Sequence, residues 1–163
     1  MRKLPFLALV VTVVVASVAV TGAQATGSRE TSATKTAVVR ISTRSVPKLG
    51  TILVNSKGMT LYMFVPDKRT KVTCVGACAA VWPPVKLPSG EKAVAGGKAK
   101  ASLLGSDADK AGGRVVTYDG WPLYTYVTDT RPGQANGQAL NLNGGLWYVL
   151  SPAGKVIKTK LTH

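Results

Sequence analysis

Residues 58–67 read GMTLYMFVPD, and residues 120–129, sixty-two positions further on, read GWPLYTYVTD. Side chains alternate along a strand, so Tyr62 and Phe64 share one face, as do Tyr124 and Tyr126. Two aromatic rings on one face need a core to cover them. Each string ends in an aspartate, Asp67 or Asp129, inside the turn-like compositions PDKRT and TDTRPG. An aspartate there accepts bonds from backbone N–H groups two residues on. The string thus reads as a core strand followed by a turn cap, used twice.

The self-similarity extends outward from this string. Val54 aligns with Val116, Gly58 with Gly120, Leu61-Tyr62 with Leu123-Tyr124, and Val65 with Val127. Trp82 and Trp147 follow their aspartates by 15 and 18 residues. A fixed period marks a repeated supersecondary unit, and two copies are too few for an open solenoid. TILVN-SKG-MTLYMFV and RVVTY-DG-WPLYTYV each read as a hairpin, the second with an Asp-Gly turn. LWYVLS-PAG-KVIKTKL repeats the shape without the Leu-Tyr pair, and it is expected to complete a sheet begun by the first strands. Nine prolines and 17 glycines favour short strands and many turns. Only CVGACAAVW and KAKASLL leave room for a helical turn. The expected fold is all-β: two pseudo-symmetric antiparallel repeats of about 60 residues closing into one barrel- or sandwich-like domain.

The chain opens with Arg2 and Lys3, an uncharged apolar run from Leu4 to Val20, and Ala23-Gln24-Ala25. That is the layout of a secretory signal peptide over 1–25, with an uncleaved anchor as the alternative. Residues 26–36 are Ser/Thr-rich and read as a flexible leader. A single domain is expected over 37–163, with repeat 1 at about 48–100 and repeat 2 at about 110–154. No membrane span is expected after cleavage. Cleavage removes two of 21 basic residues and none of the seven acidic ones, leaving 19 against 7 and a net charge near +12. Such a charge favours anionic envelope polymers, lipid heads or nucleic acid. No run of aromatics and arginines suggests base stacking, so specific nucleic-acid binding is not expected.

The motifs together resemble a secreted or lipoprotein repeat family of bacterial envelope proteins, whose signature is Tyr-x-aromatic-x-x-Asp. Tyr62-Met63-Phe64-Val65-Pro66-Asp67 and Tyr124-Thr125-Tyr126-Val127-Thr128-Asp129 both match it. The continuation Cys74-Val75-Gly76-Ala77-Cys78-Ala79, then Trp82-Pro83-Pro84, is similar to the family's first repeat. Asp119-Gly120-Trp121-Pro122-Leu123-Tyr124 is similar to its second. The resemblance covers about 48–154. It implies a secreted or envelope location and carries no assigned activity. Many members have a lipid-attachment cysteine, which is missing after this chain's apolar run.

Few residues here have the chemistry of a site. In an exported protein, Cys74 and Cys78 are expected to form a structural disulfide closed through Gly76. The alternative is a redox or copper-handling pair, with Met59 and Met63 as thioether ligands. Asp67 and Asp129 would bind a cation only if they converged, and two carboxylates fall short of the six or more oxygens that a hard cation takes. The single histidine is His163, so no Ser-His-Asp set can be assembled with confidence. No cofactor, metal or catalytic residue is assigned. The expected function is that of a non-enzymatic, secreted cell-envelope module, binding anionic envelope polymers or another envelope protein.

Overall fold

The computed structural model describes residues 38–69 and 71–161. They belong to one compact unit, 36–163. The signal peptide and leader expected over 1–36 lie outside the described residues, as does His163.

Among the described residues are eleven short strands, one short α-helix and two single-turn 3-10 helices (Val65–Asp67 and Ala101–Leu103). In chain order the strands and the α-helix are β1 (Arg40–Val46), β2 (Gly50–Asn55), β3 (Tyr62–Phe64), α1 (Ala77–Val81), β4 (Lys86–Leu87), β5 (Val94–Ala95), β6 (Leu104–Ala108), β7 (Arg114–Tyr118), β8 (Trp121–Pro122), β9 (Asn141–Leu142), β10 (Gly145–Leu150) and β11 (Val156–Ile157). The fold is all-β and its sheets do not close into a barrel. One sheet has the order β2-β1-β5, a second β11-β10-β3 with β9 also on β10, and a third β4-β7-β6 with β8 also on β7.

The duplication is visible in the pairing. The β1–β2 hairpin of the first repeat corresponds to the β6–β7 hairpin of the second, both antiparallel. β7 turns into β8 through Asp119 and Gly120, with φ of 49° and 76°. Both central residues of a type I′ turn need positive φ, which is why Asp-Gly suits it. The hairpin expected near the C-terminus forms as β10–β11, and β10 pairs with β3, from the second arm of the first hairpin, but not with β1 or β2. β1 instead takes β5 as a short parallel neighbour. The reason is burial: β3 is covered on both faces and needs a partner with a matching apolar strand, which GLWYVL supplies.

Alternation along Leu61-Tyr62-Met63-Phe64 divides the core in two. Tyr62 and Phe64 point into a cluster with Ile52, Cys74, Trp82, Tyr124, Trp147 and Val149. Leu61 and Met63 point into a second, with Ile41, Leu53, Val116, Tyr118, Leu123 and Leu150. The motif strand is therefore the partition between two apolar layers. Strands buried on both faces read as continuous apolar runs; TILVN and RVVTY fit that description, with Ile52–Val54 and Val115–Tyr118 all buried. No helix among the described residues is long and apolar enough to cross a membrane.

Candidate functional site

The two motif tyrosines meet where the repeats join. Tyr62 N–H donates to the Tyr124 carbonyl at 2.8 Å, and Tyr124 N–H donates to the Tyr62 carbonyl at 2.9 Å. The side chains then cross over. The Tyr62 hydroxyl donates to Asp129 Oδ2 at 2.6 Å, and the Tyr124 hydroxyl donates to Asp67 Oδ2 at 2.7 Å. Each repeat's tyrosine thus bonds the other repeat's aspartate.

The remaining valences of this square are filled from the following loops. Asp67 Oδ1 accepts from Thr73 N at 2.9 Å and Thr73 Oγ1 at 2.6 Å. Asp129 Oδ1 accepts from Asn136 N at 2.9 Å. The Tyr62 hydroxyl also accepts from Gly137 N at 3.2 Å. The aspartates do not make the tight turn read from sequence. Their side-chain donors lie six and seven residues on, because each loop folds back before its N–H groups reach the carboxylate.

Burial is nearly complete: Tyr62, Tyr124 and Asp67 are 0% exposed and Asp129 is 5%. Loss of hydration raises both aspartates above the ordinary carboxylate range, and the hydrogen bonds to Thr73, Tyr124, Tyr62 and Asn136 only partly offset it. Burial, reinforced by the facing carboxylates, also pushes both tyrosine hydroxyls far above their ordinary value. These phenols stay protonated donors.

Around the square the aromatic residues form one continuous stack. Tyr126 lies on Trp82 with ring centroids 4.0 Å apart, Trp82 on Trp147 at 3.9 Å, and Trp147 on Phe64 at 4.1 Å. Tyr62 meets Trp82 edge-on at 5.4 Å, and Tyr124 meets Trp147 edge-on at 5.2 Å. Each of these contacts has its counterpart in the other repeat, with the tryptophan pair between them; an edge contact of Tyr62 with Tyr126 at 6.4 Å is the exception. Two glycines make room. A Cβ on Gly137 would sit 2.7 Å from Trp82 Cη2, and one on Gly145 would sit 2.5 Å from Pro66 Cγ.

Cys74 and Cys78 are joined in a disulfide. Cys74 precedes α1 and Cys78 lies within it, with Gly76 at φ 57° between them. The pair is therefore not spaced along a regular helix, which is what lets so short a loop close. The second repeat has no disulfide; there Asn136 and Gly137 hold the equivalent place by hydrogen bonds alone. Met63, one of the two methionines considered as thioether ligands, belongs to the other core cluster from Cys74. Among the described residues no group of three or more His, Cys, Asp or Glu side chains could hold a metal ion.

Two of the other described acidic residues have ion-pair partners. Asp119 pairs with Arg69, whose guanidinium also lies over the Trp121 ring at 5.9 Å, and Asp109 pairs with Lys86. Many basic residues therefore face solvent without an acidic neighbour. The residues missed in the sequence are Arg40, Arg44 and Lys57, which line a cleft of about 520 Å³ over the β1–β2 hairpin. The signal was present as the even spacing of Arg40, Ser42 and Arg44, which places all three on one face of a strand.

A β domain duplicated head to head, with its signature tyrosines and aspartates exchanged between the copies, defines an interlocked repeat protein. A family described as a secreted repeat of unknown function matches the chain twice, at residues 43–86 and 105–151. The chain belongs to that family. It is a secreted or envelope module, and the two matched segments contain the two halves of the exchange. Comparison with curated proteins and with solved structures gives no match.

Proposed function

We propose that the protein is a non-enzymatic binding module of the cell envelope, and that its partners are anionic envelope polymers. The supporting observation is how the side chains are used. The tyrosines and aspartates that the repeat preserves are buried and bonded to one another, which leaves them little free valence for a substrate. The surface is dominated by cations: the whole chain carries 21 basic and seven acidic residues. Asp67 and Asp129 are buried, and Asp109 and Asp119 are already paired. A surface of this kind concentrates polyanions around it. Co-sedimentation of the mature protein with purified envelope polymers, across a salt series, tests the reading. Retention that weakens steeply with salt is expected; retention by an uncharged polymer that is indifferent to salt would overturn it.

A further inference from the structure

The cleft over the β1–β2 hairpin has a more specific chemistry than general positive charge. Arg40 and Arg44 stand on opposite walls. The Arg40 side chain turns toward β5, where Nη1 donates to the Ala95 carbonyl at 3.4 Å. Arg44 turns the other way, over the β2–β3 turn: a Cβ on Gly58 would meet its Nη2 at 3.0 Å and Pro132 Cβ at 3.3 Å. Lys57 stands on that same turn. Among the described residues neither the Arg44 guanidinium nor the Lys57 ammonium has a hydrogen-bond or ion-pair partner. No acidic residue lines the cleft.

The neutral groups are biased as well. The Asn55 side-chain carbonyl already accepts from Lys57 N at 2.9 Å and Met59 N at 3.0 Å, which leaves its amide N–H groups to donate. Thr43 Oγ1 accepts from Lys98 N at 3.0 Å, which leaves its O–H to donate. Ser42 and Ser56 add two more hydroxyls to the lining. The cleft therefore offers positive charge and more donors than acceptors, the two serine hydroxyls being able to act as either. A ligand that suits it has acceptors, permanent negative charge and few donors. Cations on both walls suit a chain passing between them better than one small anion.

We infer that this cleft binds a polyol-phosphate chain, the phosphodiester groups bridging Arg40 on one wall and Arg44 with Lys57 on the other. Each phosphodiester carries a full charge and two free oxygens, which matches a guanidinium fork. Nucleic acid shares the phosphodiester, but the lining has no aromatic ring on which a base could stack. The inference rests on the polyanion-binding reading above and gives it an address.

The test uses the mature protein and poly(glycerol phosphate) as the probe, with affinity measured from low to moderate salt. The Arg40→Gln, Arg44→Gln, Lys57→Gln triple variant should bind more than about tenfold more weakly. The slope of log K against log salt should fall by about two, since each of three lost contacts accounts for about 0.7 on a single strand. A control triple of equal charge change, Lys155→Gln, Lys158→Gln, Lys160→Gln, should lose less than about threefold. Equal losses in both triples would overturn the site and leave the polyanion reading standing. Tighter binding of polyuronate or of single-stranded DNA than of poly(glycerol phosphate) would overturn the phosphodiester-chain assignment. No binding of any polyanion by the unaltered protein would overturn both readings.

Discussion

Exchange of hydroxyls between the repeats predicts a specific pattern of energetic coupling. Tyr62→Phe deletes a hydroxyl that donates to Asp129 at 2.6 Å and accepts from Gly137 N at 3.2 Å. A hydrogen bond to a charged group contributes about 1.5–3 kcal/mol, and a buried polar group left unsatisfied costs about 1–3 kcal/mol. Since Asp129 and Gly137 are both buried, the variant should lose about 2–4 kcal/mol. That is a large share of the roughly 5–15 kcal/mol available to a domain. Asp129→Asn keeps the acceptor for Asn136 and presents an amide to the tyrosine, so it should lose about 1–3 kcal/mol. In the double variant the shared bond is counted once, and a coupling of about 1–2 kcal/mol should appear. Tyr62→Phe with Asp67→Asn shares no such bond and should be additive to within about 0.5 kcal/mol. Urea unfolding with an unchanged m-value reads all of these differences. Coupling between Tyr62 and Asp67 of the same repeat, with none to Asp129, would refute the exchange.

Three further outcomes follow from the same geometry. Gly137→Ala should destabilise by about 1–3 kcal/mol, because its Cβ would lie 2.7 Å from a tryptophan ring that is already stacked on both faces; thermal melting checks this. Replacing Cys74 and Cys78 by serine should cost about 2 kcal/mol by the loop-entropy model and leave polyanion binding unchanged, as unfolding and affinity measurements on the reduced-equivalent variant will show. For pH, the folded-state pKa values of Asp67 and Asp129 are raised, burial being the main cause. Their contribution to stability is therefore fully present below the unfolded value of about 3.9 and is lost as pH rises through the folded values. Asp67→Asn with Asp129→Asn should flatten that decline, and a pH series of urea midpoints that keeps the same slope in the double variant would contradict it. Asp109 acts in the opposite sense: burial raises it, but Lys86 and the Ala111 N–H outweigh burial and lower it, so its contribution is lost on acidification.

The faces of the motif strands were legible from alternation alone. Tyr62 and Phe64 do share one core, as the period of two requires, and Leu61 with Met63 fills the other. The hairpins around Asp119-Gly120 and before Lys155 were legible because turn residues with positive φ punctuate apolar runs. The partner of each aspartate was not legible. A repeat places Tyr and Asp at the same spacing whether they bond within a copy or between copies, and only the antiparallel meeting of Tyr62 with Tyr124 decides it. The placement of β10 beside β3 was hidden for the same reason, since an apolar strand pattern does not state which edge it joins. Trp82 and Trp147 stood out by position, but their stacking depends on Gly137 and Gly145 leaving the rings room, a requirement local composition does not carry. Arg40 and Arg44 looked like two charges among many until the structure placed them on opposite walls of one cleft.

That the repeated motif builds the domain, while binding lies on its surface, can be tested in a single paired measurement. Tyr62→Phe with Tyr124→Phe would be compared with the unaltered protein for melting temperature and for poly(glycerol phosphate) affinity below both transitions. Each kcal/mol lost corresponds to about 3–5 °C in a domain of this size. A fall of more than about 10 °C with affinity unchanged within about twofold is the expected result. An unchanged melting temperature with affinity lost would contradict it, because the tyrosines would then be a binding site and the exchanged bonds would not hold the two repeats together.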